Sequence, residues 1–452
     1  MKKNIKVHGI LFLYFHYWDK NAPTIVDHIN SFPKYSKFKV WALNTERGFP
    51  KGLKKLEFDI ILLHYSLFGQ KYVLFNDFME YLKNSRSSYK IAFFQDEYHY
   101  CQQRFKFLND YNFNCVYTLL HPDYFKDVYE KYTRVPRIIP TLTGYVDDNL
   151  IKNAKKYSQP DSMRDIDIGY RARKLPWYMG KGAQEKSEIG ERFIEYVKGT
   201  ELKLDIAYTE GSRLYGNKWY KFLGNQKACL GAEAGASIFD IQDVVRPEYE
   251  RLKAENPSIT YAEMSERLLN KWEGKIPNRV ISPRIFEAAA FHICQILYED
   301  KYQGILKPMV DYIPLKKDFS NFDEVIELYR DTRFRKQIIE NCYQDLITSG
   351  NYTYKKFISD FDEELAKQGY DYRLSRNKRQ NMMVWFALNK DMPSRVIPRY
   401  VIYIGNKTIS FLSGLISSTG FGKKFIKPIL KPAWTIIYRF IYVRLVKRFY
   451  NL

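Results

Sequence analysis

Six short apolar runs punctuate residues 5–140, at 5–15, 38–43, 57–64 ("EFDIILLH"), 90–95 ("KIAFFQ"), 114–119 and 136–140. Amphipathic stretches such as 71–84 and 122–131 lie between several of them. Apolar runs alternating with helix-period segments need burial on both faces, which a parallel sheet clothed in helices supplies. Residues 141–165 are polar and read as a linker, after which the pattern restarts. Strands are expected at 166–170 ("IDIGY"), 202–208, 227–230 and 293–298, with helices at 184–198 and near 217–223. The chain is therefore predicted to be α/β, with two doubly wound, Rossmann-like domains facing across a cleft. The first covers 1–150 and the second 151–370. A charged, helix-like insertion at 241–280 interrupts the second, and "TYAE" (260–263) has the spacing of a capping box. Residues 321–367 are again amphipathic and helical. Residues 371–452 form a third segment, a polar connector followed by a basic tail.

Charge is concentrated in that tail. The 452 residues carry a net charge of +21, and 393–452 hold eleven Lys/Arg without one Asp or Glu. The basic residues are interleaved with Trp434, Tyr438, Phe440, Tyr442, Phe449 and Tyr450. No uncharged apolar run there reaches eighteen residues, which argues against a spanning helix. The pattern suits a segment lying on an anionic membrane surface. Excess positive charge also admits a nucleic-acid-binding protein, but no RNP, KH or helix-turn-helix pattern is present, so no nucleic-acid partner is expected. The five cysteines are odd in number and never in CxxC spacing, which points to a reducing compartment without disulfides or zinc. "MKKNIKVHGILFLYF" lacks a small-residue cleavage site and reads as a first buried strand rather than a signal peptide.

Ligands of doubly wound domains sit at the C-terminal ends of the strands, so polar residues there are the candidates. His64 ends "DIILLH". Asp96, Glu97 and His99 follow "IAFF". Arg171 and Arg173 follow "IDIGY", and Lys186 lies near the start of the next helix. Glu233 stands in "GAEAGASIFD", and Arg284 and Glu287 in "ISPRIFEAAAF". In that last stretch Ser282 and Pro283 have the character of a helix N-cap and first turn. Glu287 is then either a surface acid favoured by the helix dipole or a carboxylate aimed at ligand hydroxyls. Arg171, Arg173 and Lys186 are either a solvated basic loop or a phosphate clamp, to which a helix N-terminus near 184 would add its dipole. The His64, Asp96, Glu97, His99 set lacks HExxH spacing, so no metal site is expected.

The order of these pieces resembles GT-B glycosyltransferases, close to the bacterial CgeB-like proteins and to glycosyltransferase families 1 and 4. "FDIILLHYS", "IIPTLTGYVDD", "IDIGYRAR…GAQEKSEIGERF", "GAEAGASIFD" and "RIFEAAAF" carry the likeness across roughly residues 1–350. The resemblance implies a nucleotide-sugar donor, a glycan or lipid-linked acceptor and a role in surface polysaccharide synthesis, with no cofactor beyond the donor. Arg171, Arg173, Lys186, Arg284 and Glu287 would bind the donor. His64, Asp96, Glu97, His99 and Glu233 would serve catalysis, one of the acceptor-side groups acting as base if the reaction inverts. Glu233 and Glu287 resemble the acidic pair of retaining members, although those acids are separated by seven residues and these by many more. The glycine-rich loop usual after the first strand is replaced by "YFHYWDKNAP". A cytoplasmic enzyme held at the inner face of the cell membrane follows from this reading. A GT-B polyol-phosphate transferase, a basic nucleic-acid-binding protein and a catalytically inactive scaffold are the alternatives.

Overall fold

The computed structural model describes residues 4–16, 23–69 and 72–417. They divide into two compact units, one drawn from 1–22, 38–89 and 371–452 and the other from 23–37 and 90–370.

In the first unit β1 (Ile5–Tyr14), β2 (Val40–Asn44) and β3 (Leu56–Leu63) run parallel in the order β2-β1-β3. Consecutive residues Ile10–Leu13 of β1 and Ile60–Leu63 of β3 are fully buried, so both sheet faces are covered and the apolar runs do not alternate. Helix Asn76–Asn84 packs Phe78 and Leu82 inward, and its Tyr81 hydroxyl donates to the Leu56 carbonyl at 3.1 Å. Helices Lys378–Asn389 and Met392–Ser417 complete this unit.

The second unit contains β4 (Tyr89–Phe93), β5 (Cys115–Thr118) and β6 (Arg137–Pro140), parallel and adjacent in that order. It also contains β7 (Ile166–Arg171), β8 (Leu204–Ala207) and β9 (Gln226–Gly231), the short pair β10 (Ala234–Ala236) and β11 (Asn278–Val280), then β12 (Cys294–Tyr298) and β13 (Ile313–Leu315). Five of these form a parallel sheet ordered β13-β12-β9-β7-β8, while β10 and β11 pair antiparallel. Ile168, Leu230, Ile296 and Phe193 fill one side of that sheet, and Leu297, Ile285 and Phe286 belong to a core on the other. Strand order reverses between β7 and β9, and a doubly wound sheet opens a crevice at the carboxyl ends of such a pair.

The expected parallel α/β architecture is present, with local differences. The polar 141–165 stretch holds a helix, Asp148–Tyr157, whose N-cap Asp147 accepts from the Asn149 N–H at 2.6 Å. It buries little beyond Ala154, so its composition reads as a linker. Residues 122–131 form a 3-10 turn and a π turn rather than an α-helix, with Pro122 in the first turn. Within the insertion, helix Val245–Glu255 precedes Tyr261–Met264, and Thr260 and Glu263 close the capping box. No described helix is long and apolar enough to cross a membrane. The membrane-surface segment expected over 393–452 lies, from residue 418 onward, outside the described residues.

Candidate functional site

Charges from the carboxyl ends of β4 and β7 and from two helices gather in one cluster within the second unit. Lys186 lies in the second turn of helix Lys181–Tyr196 and is partly open to solvent. Burial pushes its pKa down to about 8, helped by the positive charges of Arg284, Arg279 and Arg173 and opposed by Asp96. Arg173 and Arg284 are exposed. A lysine held down by three arginines reports a positive local potential, despite the nearby carboxylate.

Asp96 supplies that carboxylate. It follows β4 in a left-handed conformation (φ 53°), costly for a non-glycine residue and concentrated at functional sites. Its side chain meets solvent, yet crowding protein atoms raise its pKa, while Lys186, Tyr98 and Arg173 oppose the rise.

Glu287 stands on helix Pro283–Ala290, which Ser282 caps and Pro283 opens, as the sequence implied. The carboxylate is partly accessible and accepts from the Trp219 indole N–H at 3.1 Å. Burial lifts its pKa to about 7, against the lowering effect of Arg284 and Trp219. The Arg284 guanidinium lies 5.4 Å from the Trp219 ring centroid and donates to the Arg171 carbonyl. Glu287 is thus partly buried against Trp219 beside an arginine, rather than standing on an open surface.

A closed ionic network centres on Arg279 in the same unit. Glu233 accepts from the Tyr302 N–H at 2.7 Å through one oxygen and from Arg279 Nε at 3.3 Å through the other. Arg279 also pairs with Glu185 and, at 3.6 Å, with Asp300, while Lys317 bonds Glu185 at 2.9 Å and Asp300 at 2.8 Å. Burial and the Asp300 charge raise the Glu233 pKa. At Asp300 burial is outweighed by Lys317 and Arg279, which lower it. Gly182 permits this arrangement: a Cβ there would fall 2.6 Å from an Arg279 guanidinium nitrogen. Arg279 stands with seven residues between it and Glu287, where the compact acidic pair would place its first acid.

Several candidates have structural partners instead. Arg171 makes a bidentate pair with Asp205 at 2.7 and 2.8 Å and lies 4.2 Å from the Phe222 ring centroid. Glu97 is fully buried and accepts from the Thr118 hydroxyl at 2.6 Å, the Leu119 N–H at 2.7 Å and the Tyr129 hydroxyl. His99 is pushed down to about 4 by burial and by Arg104 and Arg246, so its ring is neutral at pH 7. His64, in the first unit, caps a turn: the Ser66 N–H donates to its Nδ1 at 3.0 Å, and the Tyr65 ring lies 3.9 Å away. The helix N-terminus expected near 184 starts at Lys181 and is already occupied. Lys181 N–H donates to Glu273 and Gly182 N–H to Ser237 Oγ, both at 2.8 Å. That helix brings Lys186 to the charge cluster rather than free N–H groups.

The insertion anchors the Asp96 loop. Asp240 N–H donates to the Tyr98 carbonyl at 2.7 Å, and the Asp243 carboxylate accepts from the N–H groups of Cys101 (2.8 Å) and Gln102 (2.9 Å). Arg279, Glu185, Asp300, Lys317 and Trp219 escaped sequence reasoning. Only Arg279 had a signal, its spacing from Glu287.

No protein-family model and no curated protein matches the sequence. Among solved structures, an alpha-glucosyltransferase in complex with UDP-glucose and DNA containing an abasic site is 11% identical, covering 80% of this chain and 99% of its own, with a TM-score of 0.44. Anabaena Alr3699/HepE in complex with UDP is 10% identical, covering 79% and 100%, with a TM-score of 0.45. TarM is 12% identical over 72% of this chain, which spans 56% of TarM, with a TM-score of 0.39. Likenesses this distant carry no argument about chemistry, which rests on the residues of the charge cluster.

Proposed function

We propose that the chain is a GT-B glycosyltransferase, moving a sugar from a nucleoside-diphosphate donor to a glycan or lipid-linked acceptor. The observation that carries this reading is the cation group Arg173, Lys186 and Arg284, beside Glu287, at the carboxyl ends of parallel strands. Breaking the bond between the anomeric carbon and the phosphate oxygen sends the electron pair onto the diphosphate. Two arginine forks and an ammonium are suited to receive that charge. Glu287 is suited to accept hydrogen bonds from donor hydroxyls. The acceptor hydroxyl attacks the anomeric carbon, and its proton passes to a leaving phosphate oxygen in a retaining transfer or to Asp96 in an inverting one. The retaining outcome and the role in surface polysaccharide follow from the sequence resemblance. Glu233, with both oxygens engaged, serves in this reading to hold Arg279.

A thermal-shift screen against nucleoside diphosphates, nucleotide sugars and nucleotide-activated polyols tests the proposal. Ligand at a hundredfold excess over Kd stabilises the folded state by about 2.7 kcal/mol. A shift with nucleotide sugars is expected, and release of nucleoside diphosphate from the same donor should follow. A shift confined to activated polyols would transfer the assignment to polyol-phosphate transfer, and silence across the panel would refute both.

A further inference from the structure

Helix Met392–Ser417 buries one cation and exposes apolar side chains, with Lys407 exposed at the end of the same stripe. Its Arg395 is only 9% exposed, donates to the carbonyls of Arg47 and Gly48 (both 3.1 Å) and Leu388 (2.7 Å), and pairs with Asp391 at 2.8 Å. The Arg399 guanidinium lies 5.3 Å from the Phe75 ring centroid. The outward positions are apolar instead: Met392 is 41% exposed, and Ile397, Tyr400 and Ile404, along one stripe, are each 46% exposed. Helix Lys378–Asn389 also exposes an apolar stripe, while its Lys378 and Arg379 are exposed. Val384 and Leu388 are buried, whereas Met382, Trp385 and Phe386, at i, i+3 and i+4, are 60, 54 and 58% exposed. A surface helix in water normally turns its apolar stripe inward and its cations outward.

Charge selects what covers this face. Residues 371–417 contain eight Lys/Arg and two acids, Asp371 and Asp391, paired with Arg373 and Arg395. The remaining residues, 418–452, add eight Lys/Arg and no acid, so like charge opposes the tail as the cover. The partner must be apolar and anionic together. A nucleic acid would set phosphates against Met and Ile side chains. A lipid interface offers acyl chains to Met382, Phe386 and Ile397, headgroup level to Trp385 and Tyr400, and anionic headgroups to the flanking cations.

We propose that the exposed apolar residues of these two helices, from Met382 to Ile404, insert into the interface of an anionic bilayer, with Trp385 and Phe386 as the anchor. This extends the membrane contact upstream of 393–452 and is independent of the donor reading.

The test is flotation of the full-length protein with vesicles of phosphatidylcholine, alone or mixed with phosphatidylglycerol. Binding should require phosphatidylglycerol and weaken with salt. The W385S/F386S variant should partition about tenfold less while keeping its melting temperature. Brominated lipid should quench a fluorescence component present in wild type and absent in W385F. Equal flotation of W385S/F386S, or no flotation of wild type, overturns the proposal. So does a wild-type dimer that W385S/F386S abolishes, or oligonucleotide binding with the same loss; these assign the face to a second copy or to nucleic acid.

Discussion

Replacing Lys186 by Met should strengthen the empty protein and cripple its hold on a nucleoside diphosphate. In the folded chain the ammonium is held down to about 8 by burial and by Arg284, Arg279 and Arg173, below an ordinary lysine value near 10.5. The folded state therefore releases this proton first, and the unfolded state binds more protons between about pH 8 and 10.5. Stability rises with pH through that window, and the penalty is fully present below it. Its ceiling is roughly 3 kcal/mol, reduced because part of the side chain meets solvent. Lys186→Met should thus raise the melting temperature of the empty protein by a few degrees at pH 7 and lose that advantage above pH 10. Binding behaves oppositely. A charge-assisted hydrogen bond contributes about 1.5–3 kcal/mol, so the variant should bind roughly tenfold to a hundredfold more weakly. If the bound diphosphate keeps Lys186 protonated, wild-type affinity should fall roughly tenfold from pH 7 to 9, with about half a proton taken up per ligand at pH 8. The ligand's phosphates do not confuse the reading, because a phosphate monoester titrates near pH 6. Calorimetry in two buffers of different ionisation enthalpy measures the proton directly. Equal affinities at pH 7 and 9, or the same pH profile in Lys186→Met, would refute the placement of the diphosphate beside Lys186.

Glu287→Gln should raise the melting temperature at pH 7, because burial holds the carboxyl up to about 7 in the folded chain, and weaken donor binding by about 1.5–3 kcal/mol, read by titration with the same diphosphate sugar. Arg171→Ala should cost stability through the lost Asp205 pair, with diphosphate affinity preserved in protein that remains folded. Glu97→Ala removes the acceptor from the Thr118 and Tyr129 hydroxyls and the Leu119 N–H, so chemical denaturation should show a loss of at least about 3 kcal/mol. Arg279→Met leaves Glu233 without its cation and Glu185 with Lys317 alone, and should cost about 3–5 kcal/mol by the same measurement.

The parallel strands were legible because each is a short apolar run buried on both faces, and Ser282-Pro283 announced the helix that carries Glu287. Strand ends then drew attention to Asp96, Arg173, Lys186 and Arg284, which the fold brings into one electrostatic neighbourhood. Neighbours one or two positions away could not be separated by sequence. Asp96 and Glu97 are adjacent, but one meets solvent and the other turns into a buried cluster under Tyr129. Arg171 differs from Arg173 because Asp205, on the neighbouring β8, claims its guanidinium, a partnership set by strand register. The Arg279 network joins residues from 185 to 317, and nothing local in the chain foretells it. Helix Asp148–Tyr157 was hidden because a short helix with little buried surface is mostly polar.

In the proposed transfer Arg173 and Arg284 hold the diphosphate of a sugar donor. The decisive experiment is calorimetric titration of the double variant R173A/R284A with the donor selected by the screen, alongside wild type and at matched melting temperature. Saturable wild-type binding with one site is expected, with a loss of at least about a hundredfold in the variant, two charge-assisted contacts being removed. Undiminished affinity in a folded R173A/R284A protein would contradict it.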